Sequence, residues 1–266
     1  MADVREILSQ YDREMRQDPF PTPGVLIERT GPVVRLRGPF NCILYSRLEE
    51  GNASRVVREQ AEFFRRAATS VEWKVFGHDG PDQLETLLSR EGFLPEPPEM
   101  LLALPLTEGA LPGGMVPGIE IRQVQGEAGV RDSLEANLGA FGEEARRNSA
   151  EYAEILRAEN QALFVAYAQD QPVASARVEL PPHRSFAGLY GGGTLPAFRR
   201  RGIYRALVGA RGTLAKGLGY RYLTVDARET SRPILERLGF LALTPTRAWV
   251  LTPPPSQGEG TAPVSP

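Results

Sequence analysis

The spacing of apolar residues divides the chain into short amphipathic helices and strands. Val4, Ile7, Leu8, Tyr11 and Met15 recur at helical spacing and predict a helix over Val4–Met15. A proline-rich stretch, Pro19 to Gly24, leads into three strand-like runs at Val25–Ile27, Val33–Leu36 and Phe40–Leu48. Gly31-Pro32 and Gly38-Pro39 punctuate them, as turns between antiparallel strands would. A helix over Ala53–Ala68 follows, with Val56, Val57, Gln60, Phe63 and Phe64 on its inner face. A strand at Val71–Phe76, a helix at Asp82–Arg90 ended by Glu91-Gly92-Phe93, and a strand at Met100–Leu106 close this half.

The stretch Gly109–Gly118 is rich in glycine and proline and nearly uncharged, and reads as a domain linker. Beyond it the pattern predicts a strand at Ile119–Arg122 and helical material over Glu127–Leu156, broken near Gly139–Gly142. Strands at Ala162–Ala168, Val173–Leu180 and Ser185–Leu195 come next, turned at Asp170-Gln171-Pro172 and Pro181-Pro182-His183-Arg184. A helix at Gly202–Lys216, a strand at Tyr222–Asp226, a helix at Ser231–Leu238 and a strand at Leu243–Leu251 complete the order. The tail Pro253–Pro266 has no core-forming pattern and is expected to be disordered. Both halves end in the order helix, strand, helix, Gly-Phe, strand, with Gly92-Phe93 answering Gly239-Phe240. That echo points to a duplication.

A length of 266 residues fits two domains, and 41% hydrophobic residues suffice for two cores. The net charge of −2 carries no basic excess of the kind a nucleic-acid binder shows. The single cysteine, Cys42, excludes an internal disulfide and a cysteine-clamped zinc. It lies in an alternating run and is expected to pack as a small hydrophobe in a reducing compartment. The N-terminus lacks the features of a signal peptide. No stretch approaches the ~18 apolar residues of a membrane span, so a soluble cytoplasmic protein is expected, as monomer or homodimer.

One segment carries chemistry. Gly191-Gly192-Gly193-Thr194-Leu195-Pro196-Ala197-Phe198-Arg199-Arg200-Arg201-Gly202-Ile203-Tyr204 is a strand, a basic turn and a helix start. A helix start offers unpaired N–H groups and a partial positive charge, both suited to a phosphate. Arginines there oppose the helix dipole unless an anion joins them, and Gly202 lets a phosphate approach the backbone. The Gly-Lys-Ser/Thr of a P-loop is absent, and Gly191–Gly193 lies within a strand rather than opening a helix as a dinucleotide fingerprint does.

Pro196 to Tyr204 resembles the acyl-CoA signature of the GNAT N-acetyltransferases, Arg/Gln-x-x-Gly-x-Gly/Ala after a strand and a proline. Ser231 to Phe240 resembles that family's second hallmark, and the resemblance covers about Ile119–Leu251. It implies two tandem α/β domains of mixed sheet and GNAT-like fold, residues 1–108 and 119–252. It also implies direct transfer of an acetyl or other acyl group from acetyl-CoA or another acyl-CoA to an amine-bearing small molecule or peptide, with no metal. Backbone N–H groups of Arg201, Gly202, Ile203 and Tyr204 would hold the pyrophosphate, with Arg199 at the mouth of the turn. Backbone groups of Thr194 and Leu195 would pair with the pantetheine arm, and Ser231 would lie near its acyl end.

The sequence departs from that pattern in three places. Tyr204 stands where Gly or Ala is usual, and its ring either crowds the phosphates or points away. Leu235 replaces the tyrosine that often protonates the departing thiolate, leaving Tyr190 as a substitute, and Arg228 replaces a common asparagine. The candidates to take the amine proton are Glu179, Asp226, Glu143, Glu144 and His183, with Glu179 first because it lies on a strand near the expected cleft. Before the first half's helix stands Glu49-Glu50-Gly51-Asn52, whose carboxylates would repel pyrophosphate. That half therefore reads as a degenerate copy without a CoA site. The alternatives to an enzyme are a non-catalytic acyl-CoA-binding regulatory module and a scaffold of two inactive domains.

Overall fold

In the computed structural model, residues 3–21, 24–106, 111–142 and 149–253 are described, apart from the side chains of 149–152. Helix α1 (Val4–Tyr11) starts where Asp3 accepts a hydrogen bond from the Arg5 N–H at 2.8 Å, and it widens into a π-helical turn at Asp12–Gln17. Strands β1 (Leu26–Thr30), β2 (Val33–Arg37) and β3 (Cys42–Ser46) follow, then α2 (Glu50–Arg66), β4 (Val71–Phe76) and α3 (Leu84–Arg90). A two-residue strand, β5 (Leu94–Pro95), precedes β6 (Glu99–Pro105). The second half runs through β7 (Glu120–Val124), α4 (Gly126–Phe141), α5 (Ser149–Arg157), β8 (Gln161–Ala168), β9 (Gln171–Glu179) and β10 (Phe186–Thr194). It ends with α6 (Ile203–Gly217), β11 (Tyr222–Arg228), α7 (Arg232–Arg237) and β12 (Leu241–Leu251).

Two compact units emerge, and neither is contiguous in sequence. The first joins Met1–Pro23 to Glu99–Thr244, and the second joins Gly24–Pro98 to Pro245–Pro266. In the first unit the strand order is β6-β11-β10-β9-β8-β7, and the start of β12 lies beside β6. The pairs from β6 to β7 are antiparallel except β10 with β11, which is parallel and bridged by α6. One sheet face packs on α6 and α7: Ile203, Leu207 and Leu235 are buried with Phe164, Val178, Leu189 and Leu223. The other face takes α1, where Ile7 packs on Ala103, Phe186 and Tyr222, and also α4 and α5, where Val130 and Leu156 pack on Leu163.

The second unit repeats the motif. Strands β3 and β4 are parallel and bridged by α2, and Trp73, Phe64, Leu88, Phe93 and Trp249 form its core. The expected echo is visible in detail. Gly92 and Gly239 have φ of 82° and 93°, and the N–H groups of Phe93 and Phe240 donate to Leu88 and Leu235 carbonyls, each at 3.1 Å. Glycine supplies the left-handed residue that ends each helix.

The boundaries read from the sequence do not match these units, for a topological reason. The strand after the first Gly-Phe, β6, pairs with β11 of the second half. The end of β12, Thr246–Leu251, pairs with β4 of the first half. The two halves thus exchange their closing strands, and the N-terminal helix also sits with the second half's sheet. The segment expected to be a linker is a strap over its described part. A Cβ on Gly209 of α6 would run into the Pro112 carbonyl oxygen, so the strap lies flush on that helix. Residues 107–110 and 254–266, the latter covering most of the tail expected to be disordered, lie outside the described residues. Among the described residues, no helix is long and apolar enough to cross a membrane. Nor does any group of three or more His, Cys, Asp or Glu among them stand ready to hold a metal.

Candidate functional site

Strands β10 and β11 pair only from Phe186–Tyr222 to Gly188–Thr224, although they run on to Thr194 and Arg228. They therefore part at Gly188 and Thr224, leaving an open edge on β10. Against its other neighbour, β9, β10 carries a bulge between Tyr190 and Gly193, with Gly191 at φ 60°. The glycine run follows from this crowding. A Cβ on Gly193 would stand 2.5 Å from the Phe141 ring and 2.8 Å from the Ala140 Cβ, so the end of α4 lies directly on the strand. Beside the bulge, Arg211 of α6 is buried, donating Nε to the Leu207 carbonyl at 3.0 Å and Nη1 to the Arg177 carbonyl at 3.1 Å. It ties the helix to the strand opposite the bulge.

After β10 a 3₁₀ turn at Pro196–Phe198 leads into Arg200 at φ 62° and Gly202 at φ 85°, the left-handed residue that opens α6. Among the described residues, the N–H groups of Arg201, Gly202, Ile203 and Tyr204 donate no backbone hydrogen bond. Four donors thus stand open at a helix start, with the exposed Arg200 and Arg201 beside them. The start of α2 is closed by contrast: the N–H groups of Asn52 and Ala53 donate to the Glu49 carbonyl at 3.0 and 2.9 Å, and Asn52 Oδ1 accepts from the Glu49 N–H.

Several expected roles change here. Arg199 does not reach over the turn: its Nε donates to the Thr194 carbonyl at 3.0 Å and its Nη2 to the Ala140 carbonyl at 3.1 Å, closing the end of α4. Arg201 lies with its guanidinium carbon 4.9 Å from the Phe198 ring centre. Leu195 cannot offer its N–H to a pantetheine arm, because β10 still pairs there and that N–H donates to the Val173 carbonyl at 2.9 Å. Alternation along the strand turns the Thr194 N–H to the open edge instead. The Tyr204 ring points away from the turn, since a Cβ on Gly192 would sit 3.0 Å from its edge. Ser231 precedes α7, its hydroxyl donating to the Arg228 carbonyl at 3.2 Å. Leu235 is fully buried in the core.

Phe186, Gly188 and Tyr190 share the sheet face opposite α6, as do Arg177 and Glu179, their partners on β9. The Tyr190 ring folds back over Gly188, where a Cβ would lie 3.2 Å from its hydroxyl oxygen. The Arg177 guanidinium covers that ring at 4.4 Å. Burial lifts the Glu179 carboxyl above its usual range, while Arg177 and the Asn160 amide, donating at 3.1 Å, pull it down. Burial also holds the Tyr190 phenol well above its ordinary value, with Glu179 and Asp226 adding to the rise. Because 38% of Tyr190 remains exposed, water screens part of that effect. Asp226 lies half-buried on β11, on the same face. His183 is exposed on its turn at φ 59°, and Glu143 and Glu144 lie outside the described residues.

The structure adds residues that the sequence reading passed over. Arg211 was visible as a charge on the apolar stripe of Ile203 and Leu207, and Arg177 as the same-face neighbour of Glu179. Tyr11, which meets the Phe186 ring edge-on at 5.3 Å, had no local signal. A cavity of about 450 Å³ opens at the far end of α4, where Val130, Leu156 and Leu163 form an apolar lining. Gln161 on its wall accepts from Arg177 Nη1 at 2.9 Å.

Residues 130–240 match the model of the acetyltransferase (GNAT) family. Among curated proteins, none matches the sequence. Solved structures do. A GCN5-related N-acetyltransferase from Kribbella flavida aligns at 16% identity over 94% of this chain and 96% of its own, with a TM-score of 0.69. A functionally unknown conserved protein from Staphylococcus epidermidis aligns at 13% identity over 91% and 98%, with a TM-score of 0.67. A tandem GNAT protein from the clavulanic acid biosynthesis pathway aligns at 12% identity over 90% and 86%, with a TM-score of 0.60. At these identities the likeness is one of fold: mixed α/β, with two GNAT-type units in tandem.

Proposed function

With residues 130–240 matching the model of the acetyltransferase (GNAT) family, we propose that this chain transfers an acetyl or other acyl group from coenzyme A to an amine. The observation that carries the reading is the open start of α6, where four backbone N–H groups lack backbone acceptors beside two exposed arginines. Such a group suits a pyrophosphate. The Thr194 N–H, on the open edge of β10, is placed to pair with a pantetheine arm as an added strand would. The bulge and the parting of β10 from β11 leave room at Gly188 for the thioester end. The second unit, whose α2 start is closed and acidic, is a degenerate copy without a CoA site.

In the transfer the amine nitrogen attacks the thioester carbonyl carbon, a C–N bond forms and the C–S bond breaks. An amine with a pKa near 10 must first lose a proton. Glu179 is the candidate acceptor of that proton through water, since a raised carboxyl pKa makes it a better base. The Tyr190 hydroxyl, held protonated, is the candidate donor to the departing thiolate.

Calorimetric titration with acetyl-CoA tests the site. Gly202→Asp, which places a carboxylate against the phosphates, should abolish binding. Gly202→Asn shares the backbone demand at φ 85° without the charge and should retain most of it. Equal affinity in the wild type and the Asp variant removes the assignment. Burial of Leu235 in place of a proton donor favours a second reading, a CoA-binding module without turnover. That reading predicts binding without thiol release across a panel of primary amines.

A further inference from the structure

The N-terminal helix shares the unit that contains the parting strands. It is fastened to the start of β10 by polar and apolar contacts. Gln10 donates to the Ser185 hydroxyl at 2.8 Å, Glu14 accepts from the Ser185 N–H at 2.6 Å, and Arg184 donates to the Asp18 carbonyl at 2.7 Å. Ile7 is buried against Phe186 and Tyr222, and the Tyr11 ring stands on Phe186. Phe186 lies two residues before Gly188, where the strands part, and the Tyr190 hydroxyl lies over Gly188. Tyr11, Tyr190 and Asp226 therefore gather on one face at the vertex of the opening. Burial holds the Tyr11 phenol well above its ordinary pKa, and Asp226 and then the Tyr190 phenol add to the rise. The helix widens to π geometry directly after Tyr11, a distortion frequent at functional sites.

Helix α6 packs on the opposite face of the same sheet. A carrier gripped by the start of α6 reaches the vertex from that side, so a nucleophile must meet the acyl carbon from the side of α1. We propose that α1 is a wall of the acceptor site and that the Tyr11 hydroxyl, beside Tyr190 and Asp226, holds the attacking amine. A neutral phenol accepts a hydrogen bond from an amine N–H and leaves the nitrogen lone pair directed at the carbonyl. This inference rests on the coenzyme A reading of the α6 turn.

The test places a nucleophile in the space that the Tyr11 ring vacates, on the side from which the amine would come. Cys42 is buried, so in a Tyr11→Cys variant the thiol at position 11 is the accessible one. Given acetyl-CoA, that thiol would attack the acetyl carbon. A new C–S bond forms, the C–S bond to coenzyme A breaks, and the proton from the thiol passes to the departing coenzyme A. Peptide mass mapping should find acetyl on residue 11 at a rate more than about tenfold above that of a Ser9→Cys control on the exposed side of the same helix, because proximity alone supplies such factors. Equal rates in variants that bind acetyl-CoA by calorimetry would overturn the proposal while leaving the carrier site standing. No binding to the wild type overturns both. Hydroxyl-radical footprinting of the unaltered protein gives a second measure that does not depend on how the variant folds. Oxidation of Tyr11 and Tyr190 should fall when acetyl-CoA saturates the protein, and unchanged oxidation of Tyr11 counts against the wall.

Discussion

Replacing Arg211 with methionine would show how firmly α6 holds the bulge in β10. Methionine has comparable length and no donor. The Leu207 carbonyl keeps its helical partner, so the loss falls on the Arg177 carbonyl, which now accepts from Arg211 at 3.1 Å. Leaving a buried acceptor unmet costs about 1–3 kcal/mol. Removing a buried charge returns part of that, so a net loss of about 1–2 kcal/mol is expected. At roughly 2–4 °C per kcal/mol for a unit of this size, the unfolding midpoint should fall by about 2–8 °C. The local effect should be sharper. Amide exchange across Gly191–Thr194, followed by mass spectrometry, should quicken by about five- to thirtyfold, since about 1.4 kcal/mol is a factor of ten. Lysine should not restore the wild-type exchange, because it lacks the planar fork. Unchanged exchange in this segment together with an unchanged midpoint would refute the coupling.

Other consequences are as direct. Gly193→Ala drives a methyl into the Phe141 ring and the Ala140 Cβ, and should cost about 1–3 kcal/mol in denaturant unfolding. Phe141→Ala in the same chain should recover part of it. The raised Glu179 pKa means that the folded state binds its proton more tightly than the unfolded chain does. Its favourable contribution is therefore complete below the unfolded carboxyl value and is lost as pH rises through the folded one. Glu179→Gln should accordingly leave the midpoint unchanged in acid and raise it slightly at neutral pH, as read by thermal melts across pH. In absorbance titration at alkaline pH, Tyr190→Phe should remove a phenol that ionises above the ordinary tyrosine range.

Much of this was legible along the chain because it is local. Val71–Phe76 alternates and forms β4 at those residues, and the periodic apolar positions of Ile203–Gly217 form α6. The turn at Arg199–Tyr204 was found because glycine, proline and arginine mark it in sequence. What escaped was non-local. Nothing in Met100–Leu106 says that its partner is Tyr222–Arg228 rather than a strand of its own half. Nothing in Val4–Met15 says that Tyr11 will rest on Phe186, since amphipathic spacing gives a helix its apolar face but not the surface that face will meet. The role expected of Arg199 failed for a related reason: the carbonyls it serves, Thr194 and Ala140, include one from a helix far away in sequence.

The exchange of closing strands also sets an order of events during synthesis. A fragment beginning at residue 119 would leave β11 bare along the seven positions where Glu99–Pro105 now lies, with Phe186 and Tyr222 stripped of Ile7. Bare edges of that kind recruit other chains. The N-terminal half fares no better by itself, for β4 waits on Thr246–Leu251 and the Trp73 core waits on Trp249. A nascent chain therefore carries an unfinished sheet until Thr246–Leu251 has left the ribosome, and its solubility in that interval depends on whatever shields β4 and β6 before their partners arrive.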